Sequence, residues 1–509
     1  MTGFLTFLLF LYLLIGTGLH GDDYVVINEF REHTFLDFIN QGTAIAKTLI
    51  LNPVSFYGLW WAYPVLGYEY QLVYDLVKAF SSAVSVYLVF KFFSDYLPHD
   101  RAFITSLIFV LYPLHDTTLY WYMTLQYVLT PAILLYAHHL IRNNQFKKGF
   151  FIAIFGSFLS YASPPYLFGL ATIFLFERRF KKAIIFLTPG VLYVAYYFWM
   201  KLNYSGIERR IDTNLNILDF LKQLVIQFLS LTESIIGPSF WLKIYYAINS
   251  ISLISVIIVT ILSIFAFIKI DKFSKILKSK RSLYVGLISI LLLSFIMFAL
   301  TGLYSHSAFN LGNRTTVYGS LVVAFMLSAL LPANKKSVIF LVLIFLAPVF
   351  GLSDHWKSWN IQQQAIIENI KTNKKLSELE PSSTLIVTGN IYNKLGPFSN
   401  IEFFSMPWNV DTIFKENVKS ENIVALAPYV VFKDGLLVDT KFNKKYYLSK
   451  KVYVYDSEKN LVERMAILDI PKLISEQHKE IRHWVQLFND TWVQHVIIWL
   501  SPRLAYLFR

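Results

Sequence analysis

Long apolar runs alternate along this chain with short polar, often basic, breaks. The runs fall at 3–19, 70–93, 103–118, 124–141, 149–162, 165–177, 183–200, 245–268, 283–303, 316–332 and 337–352. A helix crosses the hydrocarbon core with about 20 apolar residues. In lipid, only helices and closed barrels satisfy their own backbone polar groups. The pattern therefore predicts a polytopic α-helical membrane protein of about eleven transmembrane helices. Runs 149–162 and 165–177 are short, and a single span over 149–177 competes with them. Ser163-Pro164-Pro165 interrupts a helical ladder and both flanks are basic, so a short hairpin is the preferred assignment. The first run has no Lys or Arg ahead of it. Although Gly16-Thr17-Gly18 offers a small-residue cleavage site, we read it as a retained first helix, cytoplasmic end first.

The breaks set orientation, because short cytoplasmic loops carry an excess of Lys and Arg. Basic residues cluster at Lys91 and Arg101, at Arg142, Lys147 and Lys148, and at Arg178 to Lys182. Further clusters lie from Lys269 to Arg281 and at Lys335 and Lys336. The opposite short loops, near 114–123, 163–165 and 304–315, hold only Arg314. Three large segments then lie on the far side: 20–69, 201–244 and everything from 353. The expected organisation is a transmembrane domain over 1–352 and an external domain over 353–509. Within the latter, Ser383–Val387 and Ile423–Leu426 read as strands. Tyr446–Tyr455 alternates partly, and Asp456–Asn460 offers a turn before Leu461–Ile467. That describes a small C-terminal α/β or β-rich domain. The stretch Val493–Phe508 is apolar but contains Pro502 and Arg503, and is expected to lie at the membrane interface.

Composition supports the class. Apolar residues make up 55% of 509 and charged residues 16%, against roughly 25% charged in soluble domains; mean hydropathy is +0.48. The net charge of +13 is explained by the loop clusters, so nucleic acid is not an expected partner. The chain has no cysteine, which excludes disulfides, thiolate metal sites and cysteine nucleophiles. No phosphate loop, dinucleotide fingerprint or zinc signature is present.

The sharpest chemical feature is Gly21-Asp22-Asp23-Tyr24, directly after the first helix. Adjacent carboxylates at a membrane edge are costly to desolvate and repel one another. Such a pair suits a general base with a positioning neighbour or a cation site; the plainer reading is a helix cap in water. In the second external loop, Asp116 of Leu114-His115-Asp116-Thr117 is a helix cap or a second functional acid, and no fixed-spacing partner makes His115 a metal ligand. Arg314 is a lone external arginine, suited to phosphate by its planar fork or to snorkelling. Arg209 and Arg210 sit in the long loop 201–244, and His306 lies in Tyr304-Ser305-His306-Ser307. Trp60-Trp61, Tyr120-Trp121-Tyr122, Trp356 and Trp359 fit an interfacial aromatic belt better than sugar-stacking surfaces.

An acidic pair just past the first helix, long external loops after helices one and seven, and an external domain after the last helix resemble the GT-C superfamily of membrane glycosyltransferases. Members include the protein O-mannosyltransferases, the lipid A aminoarabinose transferases and the O-antigen glucosyltransferases. The resemblance implies an inverting transferase that uses a polyprenyl-phosphate-linked sugar. It places Asp22 as the base, with Asp23 departing from the Asp-Glu pair of many relatives, and makes Asp116 the second acid of external loop two. Arg314, Arg209, Arg210 and His306 would hold the donor phosphate. Any divalent cation, magnesium or manganese, would rest on carboxylates. The implied acceptor is an envelope glycan or lipid such as O-antigen or lipopolysaccharide, met on the periplasmic side of a bacterial inner membrane. An O-antigen polymerase or ligase is the nearest alternative. A transporter or flippase of lipid-linked glycans is another, for which Asp75 and Lys78 are the few mid-membrane charges.

Overall fold

The computed structural model describes residues 2–30, 52–203, 216–269, 274, 281–301, 306–332, 334–415, 417–420, 422–441, 444–480 and 491–500. The chain divides into two compact units. The first takes Met1–Gly18, Arg31–Ala308 and Gly312–His355; the second takes Leu19–Phe30, Phe309–Leu311 and Trp356–Arg509. Two short N-terminal and mid-chain pieces thus belong to the same unit as the C-terminal part.

The main helices of the first unit are α1 (Thr2–Leu14), α3 (Gln71–Phe93), α4 (His99–Val110), α5 (Gln126–Arg142), α6 (Phe146–Ser157), α7 (Pro164–Phe176) and α8 (Phe180–Asn203). They continue with α9 (Ile217–Ile236), α10 (Pro238–Asn249), α11 (Leu253–Lys269), α12 (Arg281–Thr301) and α13 (Val317–Leu330). Helix α2 (Asp22–Phe30) belongs to the second unit, and α14 (Ala347–Thr372) contributes to both. Among the described residues, five segments are long and apolar enough to cross a bilayer: Gln71–Phe93, Phe180–Asn203, Ile217–Asn249, Arg281–Thr301 and Ile339–Thr372. The protein is a multi-pass membrane protein.

The other predicted spans are shorter helices. Helix α4 ends before Pro113, and α6 and α7 have 12 and 13 residues, or about 18–20 Å at the helical rise. The break between α6 and α7 falls where Ser163-Pro164-Pro165 predicts it. Both prolines sit in the first turn of α7, whose N–H groups need no helical partner. Two expectations change. The segment 201–244, read as an external loop, contains α9 and most of α10, which together form one of the span candidates. Its polar residues masked this in the sequence: Gln227, Ser234 and Lys243 are buried, whereas Leu221, Phe228, Leu229 and Ile236 are exposed. An apolar outer face around a polar inner one is the arrangement lipid favours as solvent. The second change is at 353, where the helix does not end but continues to Thr372.

Small residues let the helices approach. A Cβ on Gly169 of α7 would lie 2.7 Å from the Ile290 backbone nitrogen of α12, and Gly286 of α12 faces Ile173 of α7 in return. Such small-residue crossings replace the hydrophobic drive that lipid removes. Gly351 of α14 is tighter still, since a Cβ there would run into the Ala247 carbonyl of α10. At the basic ends, Arg142 of α5 pairs with Glu177 at 3.1 Å, and the Ser282 hydroxyl of α12 donates to the same carboxylate at 2.8 Å.

Among the described residues, the second unit carries nine strands: β1 (Ser383–Thr388), β2 (Tyr392–Leu395), β3 (Phe398–Glu402), β4 (Asn422–Ala425), β5 (Val430–Lys433), β6 (Leu436–Asp439), β7 (Lys444–Tyr447), β8 (Lys451–Asp456) and β9 (Leu461–Met465). Its helices are α15 (Pro407–Lys415), α16 (Ile470–Glu480) and α17 (Trp492–Leu500). The main sheet has the order β4-β1-β8-β9, with the first three strands parallel and β9 antiparallel. Every residue of β1 is buried, as a central parallel strand requires. The predicted turn at 456–460 closes the β8–β9 hairpin: Asp456 Oδ1 accepts from Glu458 N at 3.0 Å, and Asn460 takes a positive φ of 53°. The single stretch Tyr446–Tyr455 is instead the end of β7 and most of β8. The described part of the terminal apolar stretch, α17, has nine residues and exposes Trp492, Val496 and Trp499.

Gly351→Ala is expected to lower the stability of the detergent-purified protein by about 1–3 kcal/mol, read as the thermal unfolding midpoint. Gly58→Ala, whose Cβ would meet nothing within 4 Å, serves as the control; equal midpoints for the two would refute the close approach.

Candidate active site

The acidic pair opens α2. Asp23 N donates to the His20 carbonyl at 3.0 Å, and Asp23 Oδ2 accepts from His20 N at 2.9 Å. The second bond is the back-reaching half of a capping box, in which a side chain near the helix start bonds a backbone N–H just ahead of it. Asp23 is fully buried in that role. Asp22 is only partly buried, and its Oδ1 accepts a hydrogen bond from the indole Nε1 of Trp408 at 2.7 Å. Trp408 stands in the first turn of α15, and both carboxylates lie at the positive end of the α2 dipole.

The same unit fixes α2 from a second side. Gln363 of α14 donates through Nε2 to the Leu19 carbonyl at 2.8 Å and to the Tyr24 hydroxyl at 2.7 Å. Its Oε1 lies 3.4 Å from His20 Nδ1. The His20 ring meets Trp356 edge to face, with centroids 4.6 Å apart.

Asp116 lies in the first unit, in a plate of loops. Its Oδ1 accepts from Lys243 Nζ at 2.7 Å and from Asn313 Nδ2. The ammonium of Lys243 also donates to the Ala308 carbonyl, and Thr117 donates to Asn313 Oδ1. Thr316 donates to the Leu114 carbonyl at 2.9 Å. The three short loops predicted to share one side thus meet: Tyr318 next to the 306–316 loop donates to the Ala162 carbonyl at 2.6 Å, and Tyr127 and Tyr161 touch through their hydroxyls. Asp116 and Lys243 are buried, so the carboxylate is neutralised where it sits and locks α10 to two loops.

Arg314 is half-buried in this plate, its guanidinium 5.6 Å from the centre of the Tyr127 ring. His306 is buried, edge-on to Phe295 and Phe298, with Nδ1 3.3 Å from Thr315 Oγ1. Burial pushes its imidazole down to about 3, which keeps the ring neutral at physiological pH and removes the positive charge a phosphate would seek. Arg209 and Arg210 lie outside the described residues. Among the described residues, no three His, Asp or Glu side chains are grouped so as to hold a metal ion. His115 has both ring nitrogens engaged, by Thr118 Oγ1 and the Phe109 carbonyl, each at 2.8 Å.

No family model, no curated protein and no solved structure matches this chain. Its chemistry must be argued from its own residues.

Two residues escaped the sequence reading. Lys243 sat in a segment taken for a loop, although a lone lysine inside Pro238–Asn249, among aromatic and aliphatic neighbours, is the kind of residue a buried carboxylate would pair with. Trp408 had no sequence signal, because its partner is 386 positions away. Of the aromatic residues expected in an interfacial belt, Trp60, Tyr120, Trp121, Tyr122, Trp356 and Trp359 are buried, and Trp61 alone of that set is exposed. They pack the interior, where their size contributes most.

Removing one partner of a buried ion pair costs about 3–5 kcal/mol, because the other charge is left behind. Lys243→Met is expected to destabilise by that amount, and the double variant Lys243→Met/Asp116→Leu to recover part of it in a thermal-unfolding cycle. A single variant within about 0.5 kcal/mol of wild type would disprove the pairing.

Proposed function

We propose that this protein is a GT-C-like inverting glycosyltransferase that moves one sugar from a polyprenyl-phosphate carrier to an envelope glycan or lipid. The observation that carries this reading is the division of labour in the acidic pair: Asp23 is buried as the cap of α2, while Asp22 stands partly exposed with an indole donor on one oxygen. The indole holds one oxygen of a carboxylate of the kind a general base requires. In this reading Asp22 takes the proton of an acceptor hydroxyl as its oxygen attacks the anomeric carbon. The bond from that carbon to the phosphate oxygen breaks, and polyprenyl phosphate leaves with the electron pair. Within the first unit, Arg314 offers a forked cation suited to phosphate, and Asp116 orders the loop plate around it through Lys243. The finer topology belongs to the same proposal. It has about eleven transmembrane helices, a cytoplasmic N-terminus and a periplasmic C-terminal domain in a bacterial inner membrane.

The test is transfer of radiolabelled sugar from a panel of undecaprenyl-phosphate-linked hexoses into host envelope glycans. Asp22→Asn is expected to insert and fold normally and to lose transfer by about a hundredfold or more. Asp23→Asn is expected to lower stability first, through its cap. Full transfer by Asp22→Asn, with loss on Arg314→Ala, would reject this reading in favour of a polymerase or ligase.

A further inference from the structure

Helices α6 and α8 open on the same run, Phe146-Lys147-Lys148 and Phe180-Lys181-Lys182, at their first three positions. Neither first turn holds an acid, although the positive end of a helix dipole favours one. Arg178 and Arg179 stand just ahead of the second run. The acid beside them, Glu177, is already engaged. Arg142 reaches it through both terminal nitrogens at 3.1 Å, Ser282 donates at 2.8 Å, and Arg179 Nε lies at 3.4 Å. The two turns meet at Phe146, whose ring centre is 5.6 Å from Lys181 Nζ and 5.8 Å from Lys182 Nζ. Lys182 also donates to the Arg142 carbonyl at 2.6 Å. Lys147, Lys148, Arg178 and Lys181 are exposed, with no carboxylate at ion-pair distance among the described residues.

We propose that these four cations bind the headgroup of one anionic phospholipid, whose chains lie along the exposed faces of α6 and α8. The site does not depend on the glycosyltransferase reading. Continuity with apolar surface favours a lipid over a soluble anion. On α6, Lys147, Phe151 and Phe155 recur every fourth residue on one face, and both phenylalanines are exposed. On α8, which packs against α6, Lys181 is followed by the exposed Ile184 and Val191. A charged head and apolar chains thus find matching surface on one pair of helices. The cations are also held in place. Gln145 N bonds the Leu140 carbonyl at 2.9 Å and Arg179 N the Phe174 carbonyl at 2.8 Å, each closing a turn around a left-handed residue. Those residues are Asn144, with φ 62°, and Arg178, with φ 58°. Glycine or asparagine takes that conformation at lower cost than arginine, and loose attraction to an anionic surface would not need an arginine fixed there. A net-negative headgroup is preferred to a zwitterionic one, whose own ammonium the cluster repels.

The experiment titrates the full-length protein in mild detergent with cardiolipin or phosphatidylcholine, with and without inorganic phosphate, and counts bound lipid by native mass spectrometry. Wild type is expected to hold one cardiolipin at least about tenfold more tightly than phosphatidylcholine. The variant Lys147→Gln/Lys148→Gln/Arg178→Gln/Lys181→Gln is expected to lose that preference. A control, Lys374→Gln/Lys375→Gln/Lys419→Gln/Lys450→Gln, removes four exposed lysines of the second unit and is expected to keep it. Arg178→Asn alone guards against loss of fold, because asparagine suits the left-handed turn as Asn144 does. It is expected to weaken cardiolipin binding about fivefold, with an unfolding midpoint no lower than wild type. A preference that survives the fourfold variant, or that the control loses equally, would overturn the site. Displacement of cardiolipin by inorganic phosphate alone would overturn its assignment to a lipid.

Discussion

A segment that leaves helical geometry inside a membrane protein exposes backbone N–H and C=O groups that no solvent satisfies. The break after α1 meets that constraint with one buried ion pair. Asp75 and Lys78, on successive turns of α3, lie 2.8 Å apart and are buried. Asp75 accepts from Gly16 N at 2.7 Å and Gly18 N at 3.0 Å, while Lys78 donates to the Gly18 carbonyl, Thr17 Oγ1 and the Tyr120 carbonyl. Gly16 and Gly18 take positive φ of 89° and 64°, which only glycine adopts at low cost. Each charge thus finds both its counterion and the orphaned backbone of the turn, the condition under which a buried pair is tolerated. Asp75 and Lys78 are the few mid-membrane charges that a transporter could use, and both are engaged in this turn.

The same device recurs at the loop plate, where Lys243 joins Asp116, Asn313 and the Ala308 carbonyl. In both cases a lysine on an apolar helix is matched to a carboxylate and to carbonyls of irregular chain. Charges placed this way fix loops that hydrophobic contact cannot fix, because lipid competes equally for apolar surface. Asp22 is treated differently. It accepts from an indole, it is not fully buried, and its neighbour Asp23 bonds the backbone at the helix start. Its partial exposure and the indole donor on Oδ1 are the physical basis for singling out Asp22.

Much of this was legible in the sequence, and the misses have identifiable causes. Apolar runs gave the membrane class, and Ser163-Pro164-Pro165 located the break between α6 and α7 because proline cannot continue a ladder. Strands β1, β4 and β9 and the turn at 456–460 followed from local pattern and turn chemistry. Apolar runs alone do not fix the count of spans, because an apolar run says that a segment avoids water and not whether protein or lipid surrounds it. The segment 217–249 was misread for the complementary reason, since its polar residues face inward.

Sequence alone determined the class of the protein, the position of most helices, and the acidic pair as the place to look, since these depend on composition and on neighbours within a few residues. Tertiary structure decided which aspartate bonds the helix start, which is paired with Lys243, and which accepts a hydrogen bond from Trp408. Those assignments are set by partners 127 to 386 residues away for Asp116 and Asp22. The fate of a carboxylate depends on the donors that folding brings within about 3 Å, and no local pattern encodes them.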